Sequence, residues 1–277
     1  MCGRYAASAR PDELVEQFEV EQDHTRDPAR SILKSPQSPP PGQPDWNMAP
    51  SKQAPVVLTR RPRGADDAAP TRQLRLLTWG LVPAWAKDPR TGLRMINARA
   101  ESVLGKGAFA KAALSRRCIV PADGWYEWQA SPTARDAKGK PHKQPFYVHR
   151  ADGAGIAFAG LYEFWRDRSV PDGEPDAWLT TFTIITTGAE PGLDRIHDRQ
   201  PLVLDRPQWE RWLDPDEHDP DVVRRLLEPA PPGRFEAYPI GRAVGSTSAN
   251  GSSLLERVGP DELEGVIDPT TGEVVGG

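Results

Sequence analysis

Residues 118–128 read Cys-Ile-Val-Pro-Ala-Asp-Gly-Trp-Tyr-Glu-Trp. The run Cys118-Ile119-Val120 is strand-like, and after a Pro-Ala-Asp-Gly break the aromatic run Trp125 to Trp128 is extended as well. In an extended run, alternate side chains take opposite faces. Glu127 therefore shares a face with Trp125, while Tyr126 and Trp128 point the other way. A carboxyl among aromatic rings is poorly solvated, which raises its pKa toward that of a useful general acid. The alternative is a glutamate on the wet face of an edge strand.

Working outward, further strands are expected at Pro55–Thr59, Gln73–Trp79, Pro145–His149, Ile156–Trp165 and Trp178–Thr187, with a last one around 239–244. Helical spacing appears at Pro11–Val20, Ala108–Leu114, Gln208–Leu213 and Asp221–Leu227. Proline-rich or polar stretches at 31–46, 60–72, 131–144 and 166–177 read as surface loops. Many short strands without regular βαβ alternation predict an α+β or mainly antiparallel fold.

Composition narrows the function classes. The chain has 277 residues, 30 prolines and 24 glycines, a content still compatible with a packed core. No run of 18 apolar residues or signal-like start is present, so a protein of the cytoplasm without membrane contact is expected. Two cysteines, Cys2 and Cys118, exclude a disulfide scaffold and a multi-cysteine zinc site; Cys118 reads as a buried small hydrophobe. The histidines show no ligand spacing, so no metal or cofactor is expected. The net charge of −4 conceals a basic segment: residues 60–117 carry 13 Lys and Arg against four Asp and Glu. Such a patch can hold a polyanion; it can also be an ordinary solvated surface.

Loss of Met1 would leave Cys2 as a mature N-terminal residue. An α-amine has a pKa of about 7.7–8.0, so on the order of 10% is neutral at neutral pH, far more than for lysine. Amine and thiol on adjacent carbons form a trap for aldehydes: the amine gives an imine and the thiol closes a thiazolidine. The alternative is a cysteine that merely follows the start codon. His197 could shuttle protons or be a packed or capping residue. Asn97 offers an amide dipole, and Arg99 on the same strand face could hold a phosphate. Trp79, Trp85, Trp125 and Trp128 interleave with arginines as in single-strand binding surfaces, though Trp79 and Trp125 read better as core.

The segments Met-Cys-Gly-Arg-Tyr at 1–5, Asn47-Met-Ala-Pro50, Trp79-Gly-Leu-Val-Pro-Ala-Trp85, Ile96-Asn-Ala-Arg-Ala-Glu101, residues 118–128, Phe158-Ala-Gly-Leu161 and His197-Asp-Arg-Gln-Pro201, in this order, resemble the SRAP family of SOS response-associated peptidase-like proteins that crosslink to abasic sites. The resemblance spans about residues 2–255. It implies one domain, 2–258, with an α+β fold around a barrel-like, mainly antiparallel sheet with flanking helices, followed by a polar tail, 259–277. It implies a groove for single-stranded DNA containing abasic sites, and capture of the open-chain aldehyde by Cys2. Glu127 matches the acid/base glutamate, Asn97 the asparagine that orients the sugar or the Cys2 amine, and His197 the histidine that assists proton transfer and reversal. Arg4 and Arg99 match phosphate-binding arginines; Trp85 and Trp128 line the place where the strand bends, with Asn47 and Pro50 on a nearby loop. A monomer suits capture of one lesion. Residues 243–246 and 250–251 keep only part of the family pattern, which puts DNA contact there in doubt. Two other classes stay open: an N-terminal-cysteine thiol peptidase or hydrolase, and a passive single-strand-binding module that would tolerate Cys2→Ala.

Overall fold

The two runs of residues 118–128 become two strands that belong to different sheets. A computed structural model of the chain describes residues 2–62, 64, 67–171 and 173–276. Met1, whose removal is expected, lies outside them, as do Arg63, Ala65 and Asp66 of the 60–72 loop and Asp172 of the 166–177 loop. The strands are β1 (Tyr5–Ala7), β2 (Gln22–Asp23), β3 (Asp45–Met48), β4 (Gln53–Arg60), β5 (Thr71–Trp79), β6 (Asn97–Arg99), β7 (Arg117–Ala122), β8 (Gly124–Arg135), β9 (Pro141–Arg150), β10 (Ile156–Arg166), β11 (Trp178–Gly188), β12 (Arg199–Pro201), β13 (Phe235–Pro239), β14 (Val266–Ile267) and β15 (Val274–Val275). The helices are α1 (Pro11–Gln17), α2 (Ala110–Ser115), α3 (Arg206–Leu213) and α4 (Pro220–Leu226).

Strands β11, β10, β7, β4 and β5 pair antiparallel in that order, and β5 returns to β11 through the parallel pairs Thr78–Thr181 and Trp79–Phe182. This closes a five-stranded barrel. Period two fills it: Val56, Leu58, Leu77, Trp79, Cys118, Val120, Phe158, Phe182 and Ile184 share one interior cluster. Their alternates Val57, Leu74, Ile119, Leu161 and Ile185 face outward under the helices with Trp212 and Val223. Arg117, also on that outer side, donates to the carbonyls of Trp212, Ala113 and Asp214, tying both helical segments to the start of β7.

The second sheet, β13-β9-β8-β1-β3, is antiparallel. Its inner residues Trp125, Phe146, Val148 and Phe235 join the barrel's interior cluster and cover one mouth of the barrel. Tyr5 of β1 meets Trp79 and Phe158 edge-on, with ring centroids 5.1 and 5.8 Å apart. The expected α+β, single-domain, barrel-based architecture is therefore the observed one. Among the described residues no helix is long and apolar enough to cross a membrane.

Three local expectations change. Residues 131–144 are mostly strand rather than loop, because β8 and β9 run on as a polar hairpin to Arg135 and from Pro141; with both faces wet, it lacks the alternation that marks a half-buried strand. The last strand ends at Pro239, and Arg242–Gly245 form a 3₁₀ turn instead. The polar tail carries a small hairpin, β14–β15, whose Val266 is buried.

Between β5 and β6, the chain from Gly80 to Ile96 folds back over the barrel rim. Gly80, at φ +123°, lies against Gly92: a Cβ on Gly92 would stand 2.4 Å from the Gly80 carbonyl oxygen. Only glycine allows this approach. Gly92→Ala is expected to lower Tm by roughly 3–10 °C. Gly107→Ala, where a Cβ meets nothing within 4 Å, should move it by no more than about 2 °C. Equal melting temperatures for the two variants in a thermal scan would show that the glycine contact is dispensable.

Candidate active site

Cys2 is brought to its place by strand pairing. Tyr5 lies opposite Trp125, and the Arg4 carbonyl accepts from the Tyr126 N–H at 3.0 Å. Residues 2–4, which form no strand of their own, lead from this pairing back into the interior cluster. Cys2 is fully buried in the interior cluster, with its Sγ–H aimed at the Arg4 carbonyl at 3.7 Å.

Asn97 reaches the same point from the barrel side. It opens β6, which lies parallel to β11 with Asn97 opposite Ile184, and the Trp79 indole donates to the neighbouring Ile96 carbonyl at 2.9 Å. Asn97 Nδ2 donates to the Cys2 carbonyl at 2.8 Å. Its Oδ1 is buried without a hydrogen-bond partner among the described residues, which leaves an acceptor beside Cys2.

Glu127 is buried on the Trp125 side of β8, as alternation requires, while Tyr126 and Trp128 pack in a separate cluster on the other face. Burial raises the Glu127 pKa to about 7; the positive amino terminus lowers it somewhat and Asp198 raises it. Burial, and then the charge of Glu127, push the Cys2 thiol well above its ordinary range, with the amino terminus opposing. His197 moves down, chiefly by burial and then by the amino terminus, against the pull of Asp198. The charge of Glu127 thus acts on Cys2, and that of Asp198 acts on both Glu127 and His197. The Arg199 N–H donates to His197 Nδ1 at 3.0 Å, which places the proton of the neutral ring on Nε2. Asp198 Oδ1 stands 2.9 Å from the same Nδ1, a contact that becomes a hydrogen bond only in the imidazolium.

The six residues expected to contact DNA divide. Arg99 and Trp85 are exposed, Trp85 to 67%. Pro50 is half-buried in the turn before Ser51, a residue at φ +74°. Trp128 is half-buried against the outer aromatic cluster of Tyr126 and Tyr147. Asn47 presents no surface: its Nδ2 donates to the carbonyls of Ser246 and Ala249 at 2.8 and 3.0 Å, and its Oδ1 accepts from Arg4 at 2.7 Å. Arg4 in turn donates to the carbonyls of Val244 and Gly245. Asn47 is therefore a positioning residue, and Arg4 already holds three acceptors. The reason is geometric: a four-residue strand pinned beside β1 cannot turn its amide outward.

Sequence reading missed Gln129. Two residues beyond Glu127 on the same face, it is 2% exposed, donates to the carbonyls of Arg195 and Ile267 at 3.1 and 2.8 Å, and accepts from the Ile267 N–H. Arg195 also donates to the Pro269 carbonyl at 2.6 Å. Strand β8, the tail hairpin and the turn before His197 are thereby locked together. A buried polar residue spaced two from the acid was the available signal.

The Glu127 shift sets a pH dependence of stability. Its folded pKa, about 7, lies above the ordinary 4.5, so the folded state binds this proton more tightly than the unfolded one. The stability that goes with the bound proton is complete below about pH 4.5 and is lost as pH rises through 7. Relative to Glu127→Gln, the wild type should lose on the order of 3 kcal/mol between pH 4.5 and 8. Denaturant unfolding at both pH values checks this, and parallel curves would refute a buried, raised carboxyl.

The family model for SOS response associated peptidase (SRAP) matches residues 1–247. The chain is 37% identical over 258 residues to abasic site processing protein YoqW of Bacillus subtilis, covering 92% of this chain and 99% of that one. It is 31% identical to abasic site processing protein YedK of Escherichia coli, covering 93% and 100%. A crystal structure of a protein from Bacteroides thetaiotaomicron superposes with a TM-score of 0.66 at 22% identity, over 93% of this chain and 100% of that one, and so shares the fold. With the family model matched over residues 1–247 and relatives at 37% and 31% identity along nearly their whole length, the chain belongs to the SRAP family of abasic site processing proteins.

Proposed function

We propose that this protein captures abasic sites in single-stranded DNA as a covalent thiazolidine on Cys2, after Met1 has been removed by the protein itself or by an aminopeptidase. The observation that carries the reading is the meeting of the Cys2 carbonyl with Asn97, beside a buried Glu127 whose pKa is about 7. At neutral pH that carboxyl is present in both protonation states, so it can give and take a proton in one cycle.

The steps follow from the groups in place. The Cys2 amine adds to the aldehyde carbon of the ring-opened sugar, and the resulting carbinolamine loses water as Glu127 gives its proton to the departing hydroxyl, leaving the protonated imine and the Glu127 carboxylate. Sγ then adds to the same carbon as its proton passes to the Glu127 carboxylate, and the C=N electron pair goes to the nitrogen, which keeps its own proton. Aldehyde and aminothiol thus become thiazolidine and one water. Asn97 holds the Cys2 carbonyl and offers Oδ1 to the amine or a sugar hydroxyl. Neutral His197 can exchange a proton at Nε2 during ring opening and reversal. Exposed Arg99 serves a backbone phosphate and exposed Trp85 a base, while Arg4 and Asn47 hold the 244–249 loop at the edge of the groove.

The thiol-hydrolase alternative is weaker on the same geometry. A cysteine acyl nucleophile works as a thiolate held at low pKa, whereas burial here favours the thiol. Closing a ring on an imine needs only that the proton move during attack.

Protein lacking Met1, mixed with a single-stranded oligonucleotide carrying one abasic site, should give a band on a denaturing gel that survives boiling. Cys2→Ala should give none. Cys2→Ser should give a borohydride-trapped imine but no durable adduct. Glu127→Gln should slow formation by roughly a hundredfold or more without weakening salt-sensitive DNA binding. A durable adduct with Cys2→Ser would defeat the thiazolidine, and a parallel fall in binding with Glu127→Gln would make that residue structural.

A further inference from the structure

The barrel has a second mouth, at the end of its strands away from Cys2, and it is lined by arginines. Alternation carries Arg60 beyond Leu58 on β4, Arg75 before Leu77 on β5, and Phe164 beyond Tyr162 on β10, all on the interior side of the wall. Arg116, just ahead of β7, joins them: its carbonyl accepts from the Tyr162 N–H at 2.9 Å. The guanidinium of Arg60 lies over the Phe164 ring, 5.0 Å from its centroid. Arg75 is steadied through Nε by Gln73 at 2.8 Å. The charges of Arg60, Arg116 and Arg75 all act on the buried Tyr162 hydroxyl.

These charges are poorly compensated. Glu163 pairs with Arg116 at 2.8 Å, yet the Arg116 Nε is buried without a hydrogen-bond partner among the described residues. No described carboxylate forms an ion pair with Arg60 or Arg75; Asp27 attracts Arg75 at longer range and itself bonds His24 at 2.8 Å. Half-buried Arg75 faces the repulsion of Arg60. Two forked, half-dehydrated guanidiniums and an orphaned N–H suit a tetrahedral oxyanion, which can accept from several of them at once.

Against Arg75 lies a cavity of about 140 Å³, lined also by Arg30, Gln53, Trp178 and Thr180, and by His24 with Asp27, whose carboxylate bonds that His24. The pair Thr78–Thr181, followed three residues back, sets Trp178 alongside Arg75 where the two strands have parted. Trp178 is 42% exposed and carries the Arg166 guanidinium over its ring, 6.0 Å from the centroid, so a flat ring and a further cation stand beside Arg75.

We propose that this second mouth is a binding site for a phosphoryl group, either free phosphate or the phosphate of a mononucleotide whose base lies on Trp178. The proposal does not depend on the chemistry at Cys2. Isothermal titration of inorganic phosphate and of adenosine monophosphate into the full chain, against chloride of equal ionic strength, tests it, and the Cys2→Ala chain should behave as wild type. Arg60→Gln and Arg75→Gln should each weaken phosphate binding about tenfold, the worth of one charged hydrogen bond; circular dichroism checks that they fold, and Arg75→Lys should retain part of the affinity. Trp178→Ala identifies the source. If it lowers nucleotide affinity to that of phosphate, the site takes a nucleotide; if both ligands bind alike and ignore it, the site takes the free oxyanion. No binding beyond chloride, or folded Arg60→Gln and Arg75→Gln chains that bind as wild type, would overturn the proposal.

Discussion

The pairing of β1 with β8 is the constraint on which the rest depends. A chain terminus is ordinarily frayed, yet in the proposed reaction the amine and thiol of Cys2 have to reach one carbon. The fold solves this by making the terminus part of a sheet. Tyr5 is fixed opposite Trp125 and edge-on to two barrel rings, and the Ala6 carbonyl accepts from the Asp123 N–H at 2.8 Å. Asp123 also accepts from the Ser8 N–H at 2.7 Å, so the bend between β7 and β8 clamps both sides of β1. Gly124 follows because a Cβ there would stand 2.4 Å from the Val148 carbonyl oxygen. A single crossing from barrel to second sheet thus fixes Cys2 and Glu127, the proposed nucleophile and acid, together.

That arrangement costs stability where it gives chemistry. Glu127 is buried without being held ionised, and its raised pKa measures the penalty of charging it. The buried polar groups of β3 and the turn after it are held differently, each by several partners. Buried Lys52 and Asp45 pair at 2.7 Å, and Lys52 also donates to the Asn47 carbonyl. Asn47 spends its amide on the 244–249 loop and on Arg4. Such networks hold one arrangement because each broken bond would leave a buried group unsatisfied. The acid can stay poised because its neighbours are not.

What the sequence made legible follows from range. Alternation in Trp125-Tyr126-Glu127-Trp128 is a local property, and it set the face of the acid without any knowledge of the partner strands. The barrel strands were legible for the same reason. Gln129 was not, because its bonds run to residues 66 and 138 positions away. Nor was the Gly80–Gly92 contact, since each glycine alone reads as a turn. The tail hairpin is too short and polar to show a period, and it is stabilised by Gln129 and Arg195 rather than by its own pattern. The family resemblance set Asn47 on a loop beside the bend of the strand, and only the tertiary fold turns its amide inward.

Part of the basic excess of residues 60–117 is divided between the two ends of the barrel. Arg99 stands on β6, which Asn97 opens at the Cys2 end, while Arg60, Arg75 and Arg116 lie toward the other, with the apolar interior of Phe158, Cys118 and Leu58 between them. Along a strand the rise is about 3.3 Å per residue, so the four steps from Arg75 to Trp79 separate the two by roughly 13 Å of packed core. Charges on opposite sides of such a wall do not share a ligand. A segment that looks like a single nucleic-acid surface when its residues are counted is, once folded, two patches of like charge held apart by the barrel that each of them rims.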